Sequence, residues 1–123
     1  MKTSSAKAKG RRLQQQVRDA LRAIGKDHGL VDGDFESRGM GQAGVDVILS
    51  PAAKRLCDLA VECKNVEKLQ VVPTFNEHYE RYKNETSLKV LVHAKNRMEP
   101  LVTLRFEEFI GLLKSSLGKG TGK

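Results

Sequence analysis

An α/β domain with a central mixed sheet of about five strands, flanked by helices, is the architecture this sequence predicts, and three observations carry it. Leu13, Val17, Ala20, Leu21 and Ile24 repeat at helical spacing and form one apolar stripe. Short apolar runs at residues 45–49, 56–64 and 88–94 have the length of strands. Helical segments are interleaved with these runs in the order helix, three strands, helix, two strands, helix, which implies one mixed sheet with helices packed on its faces.

Residues 1–8 (MKTSSAKA) are small, polar and basic and read as a flexible arm. A helix follows over about residues 9–28, with Arg11, Gln15, Arg18, Arg22 and Lys26 opposite the apolar stripe and Gly29 as its stop. After a turn at 31–34, residues 35–38 suit a short strand, and 39–44 (GMGQAG) form a loop with three glycines in six residues. Residues 45–49 (VDVIL) and 56–64 (LCDLAVECK) are expected to pair as a hairpin across a turn at 50–55 (SPAAKR). Pro73 suits the first turn of a second helix running to about Asn84, with Phe75, Tyr79 and Tyr82 sharing a face. Then come a buried strand at 88–94, a further strand at 100–105, and a last helix over 106–117 with Phe106, Phe109, Ile110, Leu113 and Leu117 inward. Residues 118–123 read as a flexible tail, which leaves 9–117 as a single domain.

A chain of 123 residues has the length of one ordinary domain, and its 39% hydrophobic content suffices for a core because the apolar residues fall in runs. The absence of Trp and the 5% aromatic content argue against a large stacking surface for single-stranded nucleic acid. The net charge of +7 is concentrated: residues 1–26 hold eight Lys or Arg against one Asp, and the remainder is balanced. One basic end on a neutral body fits a polyanionic partner, most simply nucleic acid, and fits a solubilising tail equally well. Cys57 and Cys63 make neither a disulfide framework nor a metal-ligand spacing. No apolar signal region opens the sequence and no run approaches bilayer length, so a soluble, cytoplasmic protein with free thiols and no membrane partner is expected.

The chemistry-bearing residues are Asp46, Glu62 and Lys64. Strand alternation turns Leu59, Val61 and Cys63 to one face and Ala60, Glu62 and Lys64 to the other, so an acid and a lysine project side by side. Asp46 alternates with Val45 and Val47 on the preceding strand and converges with Glu62 if the two strands pair. Two neighbouring carboxylates are hard to keep ionised without a cation, and one or two carboxylates plus waters suit Mg²⁺, with Mn²⁺ as its substitute. A metal-held water beside an ammonium group is what phosphodiester hydrolysis needs, because charge builds on the phosphate oxygens. For an isolated D…ExK pattern, an ion-pair cluster on a solvated face is the commoner outcome.

The ordered set of motifs bears on that choice. Gly44-Val45-Asp46-Val47 followed by Val61-Glu62-Cys63-Lys64 resembles the PD-(D/E)XK nuclease superfamily. That likeness implies a restriction-endonuclease-like core, with Asp46, Glu62 and the Cys63 backbone carbonyl as metal ligands and Lys64 as a catalytic residue. Lys9-Gly10 and Leu13-Gln14-Gln15 resemble the first helix of archaeal-type Holliday junction resolvases, where a metal-site Glu stands at the position of Gln14. Small phage-encoded nucleases of this superfamily are similar in combining KGRRLQQ, a Met-Gly loop (Met40-Gly41), DV-x-LSPAA and ECKN, over about residues 9–113. Val45 replaces the superfamily's Pro. Gln14 leaves a neutral ligand or a water-positioning group, and helix geometry sets it at the edge of the apolar stripe while Gln15 points away.

Lys9, Arg11, Arg12, Arg18 and Arg22 are expected on the DNA backbone, with Ser37, Arg38 and Gly41 of the glycine loop beside it; a solvated face and a plain strand connection are the ordinary alternatives. Glu77 and Arg81 read as a surface ion pair, His78 as a packing or surface residue before a site residue, and Cys63 as core. The expectation is a Mg²⁺-dependent endonuclease on branched or duplex DNA, nearest to a junction resolvase and therefore a homodimer, since two symmetric strands must be cut. A nicking or restriction-like nuclease and a non-catalytic DNA-binding protein on the same fold remain the alternatives.

Overall fold

The computed structural model describes residues 2–39 and 41–121, with side chains for 5–39 and 41–118. In chain order it contains α1 (Lys2–Lys26), a 3-10 turn (Asp32–Asp34), β1 (Phe35–Ser37), β2 (Val47–Leu49), α2 (Pro51–Leu56), β3 (Leu59–Asn65), α3 (Val71–Tyr82), β4 (Leu88–Ala94), β5 (Leu101–Thr103) and α4 (Phe106–Thr121). The expected strands form, but in two sheets instead of one. β1 pairs antiparallel with β2, while β3 runs parallel to β4 and β4 antiparallel to β5. The two sheets meet where the Asp46 amide donates to the Val61 carbonyl at 2.9 Å.

The expected hairpin between 45–49 and 56–64 is corrected accordingly: β2 takes β1 as its partner, with Phe35 opposite Leu49 and Ser37 opposite Val47. The segment expected as a turn is helical because its chemistry is that of a helix start. Ser50 Oγ accepts from the Ala53 amide at 3.0 Å and Pro51 occupies the first turn, where its missing N–H costs nothing. The cap is itself anchored, since the Ser50 hydroxyl donates to Asp34 at 2.6 Å.

α1 begins at Lys2, so the residues read as an arm are written into the helix. Its end follows expectation. Gly29 takes a left-handed φ of 81°, and the Leu30 amide closes back on the Gly25 carbonyl at 2.9 Å. Leu13, Val17 and Leu21 pack on Val47, Val61, Val90 and Val92 in the main core. Gly25 lies so close to Phe35 that a Cβ there would stand 2.6 Å from the ring. The helix end thus docks through Gly25, and Ile24 is turned to solvent. A second cluster, Phe35, Leu49 and Ala53, joins the first through Leu21 and Leu59.

The last helix departs most from expectation. Phe106, Phe109, Leu113 and Leu117 are exposed, Phe106 at 72% and Leu117 at 61%, while Ile110 is half-buried. β5 has three residues, roughly 10 Å of strand, and cannot back a helix of 16 residues that is about 24 Å long. The helix is rooted at Arg105, whose guanidinium donates to Tyr79 Oη at 2.6 Å and lies 4.4 Å from that ring's centre. α4 also continues to Thr121, through most of the expected tail. Among the described residues no helix is long and apolar enough to cross a membrane.

Asp34 ties the 3-10 turn to α2, and its carboxyl is held below its ordinary 3.8 by the Ser50 hydroxyl and then by the Val31 amide. A lowered carboxyl pKa stabilises the fold above the unfolded value and is lost as pH falls through the folded one. Loss of the N-cap in Ser50→Ala is expected to cost about 1 kcal/mol at neutral pH in a denaturant titration, and the variant should lose less of its stability than the parent as pH falls below the ordinary carboxyl value.

Candidate active site at the β3 edge

β3 divides its side chains between two environments. Val61 and Cys63 enter the core beneath α1, whereas Glu62 and Lys64 are half-buried on the other face. Both strand edges are used. Toward β4, Glu62 stands opposite Leu91 and Lys64 opposite His93 in parallel register. Toward β2, Val61 and Cys63 present their backbone groups, because the N–H and C=O of one strand residue point to the same edge.

Asp46 closes that second edge by itself. Its backbone N–H donates to the Val61 carbonyl at 2.9 Å, and its Oδ2 accepts from the Cys63 amide at 2.7 Å. These two bonds grip β3 on either side of Glu62. The same alternation opens the Cys63 carbonyl to this edge. Glu62 in turn lies 3.5 Å from Lys64 Nζ, with the acid side chain 16% exposed and the lysine 43%. The structure therefore brings Asp46, Glu62 and Lys64 to one edge, as strand alternation expects, although β2 and β3 do not form the expected ladder.

The electrostatics are those of a crowded acid pair. Desolvation pushes the Asp46 carboxyl above its ordinary value and the charge of Glu62 adds to this; the Cys63 amide, Lys64 and His78 pull the other way. Burial, then Asp46 and Glu62, push the Cys63 thiol far up, which makes it an inert core thiol.

Gln14 is buried at 7%, and its Oε1 has no hydrogen-bond partner. Gln15 is half-buried and Gln16 exposed, so Gln14 is the inward one of the three. Asn65, the last residue of β3, donates from Nδ2 to the Lys9 carbonyl at 3.4 Å and leaves its Oδ1 buried without a partner. An open groove of about 340 Å³ runs between the first turns of α1 and the end of β3, lined by Lys7, Gly10, Cys63, Lys64 and Asn65 among others.

Among the described residues no three His, Cys, Asp or Glu side chains cluster as a metal cage. Mg²⁺ does not require one, since it keeps several waters and takes one or two carboxylates. The donors at this edge are hard oxygens, the Asp46 and Glu62 carboxylates and the Cys63 carbonyl, and the unpartnered Gln14 amide oxygen is of the same kind. This set fits a Mg²⁺-type cation and does not suit a thiophilic one.

The basic residues fall into two groups. Arg11 and Arg12 are exposed, and Lys9 is half-buried near the groove. Arg18 pairs with Asp19 at 2.9 Å. Arg22 staples α1 to the next segment, donating to the Asp32 and Phe35 carbonyls at 3.0 Å and to Glu36 at 3.1 Å. Ser37 is half-buried in β1, and Arg38 donates to the Val45 carbonyl at 2.6 Å while covering Gly44, whose φ of 117° and close approach exclude a side chain. Gly41 is exposed with φ 82°; Met40 lies outside the described residues.

His78 is a core residue at 1% exposure, its Nε2 donating to the Ala60 carbonyl at 2.8 Å. Glu77 and Arg81 are exposed and do not pair; Glu80 engages Lys83 instead at 2.9 Å. Sequence reasoning missed the structural roles of Asn65 and Arg22. The fourth residue of ECKN marked the first, while nothing local marked the second.

Fold and site together define an α/β domain with a carboxylate pair and a lysine on one strand edge. Compared with family models, curated proteins and solved structures, the chain matches none.

The folded state holds the Asp46 proton more tightly than the unfolded chain, so ionised Asp46 costs stability at neutral pH. Without divalent cation, Asp46→Asn is expected to melt above the parent at pH 7, the gap closing as the pH falls toward 3.8. Added Mg²⁺ should raise the parent's melting temperature and leave the variant's unchanged.

Proposed function

We propose that this protein is a Mg²⁺-dependent DNA endonuclease with a divided form of the restriction-endonuclease-like core. The observation that supports it most is the double grip of Asp46 on β3, which sets a desolvated carboxylate beside Glu62 and Lys64. A binding module gains nothing from such a trio, whose carboxylates repel one another. The comparisons lend no support, so the motif resemblance and this geometry carry the reading together.

Asp46, Glu62, the Cys63 carbonyl and the Gln14 amide oxygen would hold the cation, with Mn²⁺ as a substitute. A bound Mg²⁺ supplies Lewis-acid polarisation of a phosphoryl oxygen and an acidified water. The protein's own groups do the rest. Glu62, 3.5 Å from Lys64 Nζ, aims the lysine along the strand. The Lys64 ammonium stabilises charge that develops on the phosphate oxygens in the transition state.

DNA backbone binding falls to Lys9 and to the exposed Arg11 and Arg12 of α1, since Arg22 is committed to the fold and Arg18 to Asp19. Such contacts release counterions and carry little sequence information. Duplex or branched DNA is the substrate class; a junction-resolving form of this activity calls for two copies acting on symmetric strands.

Plasmid, linear duplex and four-way junction substrates assayed with and without Mg²⁺ test the reading. Asp46→Ala and Glu62→Ala should abolish cleavage with DNA binding equal or tighter. Lys64→Ala should lower turnover by roughly 10²-fold or more, as loss of one preorganised donor does. Parent-like cleavage in the Asp46 and Glu62 variants, or no Mg²⁺-dependent cleavage of any substrate by the parent, overturns it.

Replacing Arg11 and Arg12 together by Ala should weaken binding to all sequences alike and flatten the salt dependence by up to about 0.9 log unit per lost contact. A salt titration of binding checks this, an unaltered slope meaning that these arginines never meet DNA.

A further inference from the structure

We propose that α4 is a self-association surface, through which two copies of this chain pack their last helices antiparallel. At 100° per residue, Phe106, Phe109, Leu113 and Leu117 fall within an arc of about 80°, the width of a stripe meant to be covered. All four are exposed. Monomeric proteins seldom leave so long an apolar stripe open to water. With about 200 Å² of surface on each large apolar side chain, the four together present on the order of 450 Å². The stripe alone is thus about half of the roughly 800 Å² per partner of a standard interface.

The charges on α4 select the occupant. Glu107 and Lys114, both exposed, are seven residues apart and so lie within about 20° of each other, on one flank of the stripe. In an antiparallel pair related by a two-fold axis, each helix sets the same flank beside its mate. Glu107 of one copy then meets Lys114 of the second, twice. The two helix dipoles also oppose one another in this arrangement. A membrane surface would be recognised by a polar face rich in Lys and Arg, whereas along α4 two glutamates balance two lysines. The pattern is complementary to itself.

DNA cleavage plays no part in the test, so failure of the nuclease reading leaves this inference standing. Sedimentation velocity of the full chain across the micromolar range is expected to show a species of twice the 13.7 kDa chain mass. Leu113→Glu should be monomeric with an unchanged far-ultraviolet circular dichroism spectrum. Glu107→Lys alone and Lys114→Glu alone should each weaken dimerisation several-fold, and the two combined should restore it. A parent chain monomeric throughout, or a combined variant no tighter than the single ones, overturns the proposal.

Discussion

Hydrogen bonds made by Asp46 link the two sheets of this fold. The β3 edge facing β2 carries a carbonyl at Val61 and an amide at Cys63 that need partners, because unpaired backbone groups away from water are costly. Asp46 answers both, one with its own backbone and one with its carboxylate. A side chain thus stands where a ladder bond would otherwise be, and the ladder does not propagate. This is the physical reason that the strands form sheets of two and three. The same two bonds hold β3 still on either side of Glu62, so the element that joins the sheets also sets the acid pair. Joining them this way has a cost. A carboxylate is withdrawn from water beside a second one, and its proton affinity rises as a result. Perturbation of this kind gathers at functional sites, where the gain lies in chemistry and not in stability.

α1 is the second constraint. Its inner stripe covers Val61 and Cys63, its end docks Gly25 on Phe35, and Arg22 staples it to β1. The N-terminal half then runs past the end of β3, where Asn65 reaches the Lys9 carbonyl. The basic end of the chain therefore lies against Lys64 and the groove, not free of the body. The basic stretch that composition leaves open between a solubilising tail and a polyanion site is thus helical and packed beside the end of β3. Gln14 is carried inward by the same helix face, and its unpartnered oxygen is left beneath it.

What was legible in the sequence follows the range of the interaction. The alternation in LAVECK sorts Val61 and Cys63 from Glu62 and Lys64 correctly, because strand geometry is local. The glycine stop at Gly29 and the inward turn of Gln14 are local as well. The pairing of β2 was not legible. VDVIL can join either neighbour, and the choice rests on Asp46 spending its carboxylate on the Cys63 amide. The helix at Pro51–Leu56 was written in Ser50-Pro51, yet six residues between two strands suit a turn as easily. The stripe of α4 was read correctly as apolar and wrongly as covered. Periodicity reports that a face is to be buried and is silent on whether the same chain buries it. Arg22 was expected on the DNA backbone for the converse reason, since nothing in helical spacing reveals the carbonyls of Asp32 and Phe35 waiting beyond it.

The central claim is that Asp46, clasped to β3, completes a hard-cation site with Glu62. Substoichiometric Mn²⁺ added to the isotopically labelled protein tests it without reference to any substrate, through paramagnetic broadening of amide resonances. The account predicts that broadening centres on the backbone amides of Asp46 and residues 62–64 and on the Gln14 side-chain amide, and that excess Mg²⁺ reverses it. Broadening centred elsewhere, or spread over exposed carboxylates such as Glu77 and Glu80 with this edge left sharp, would contradict it.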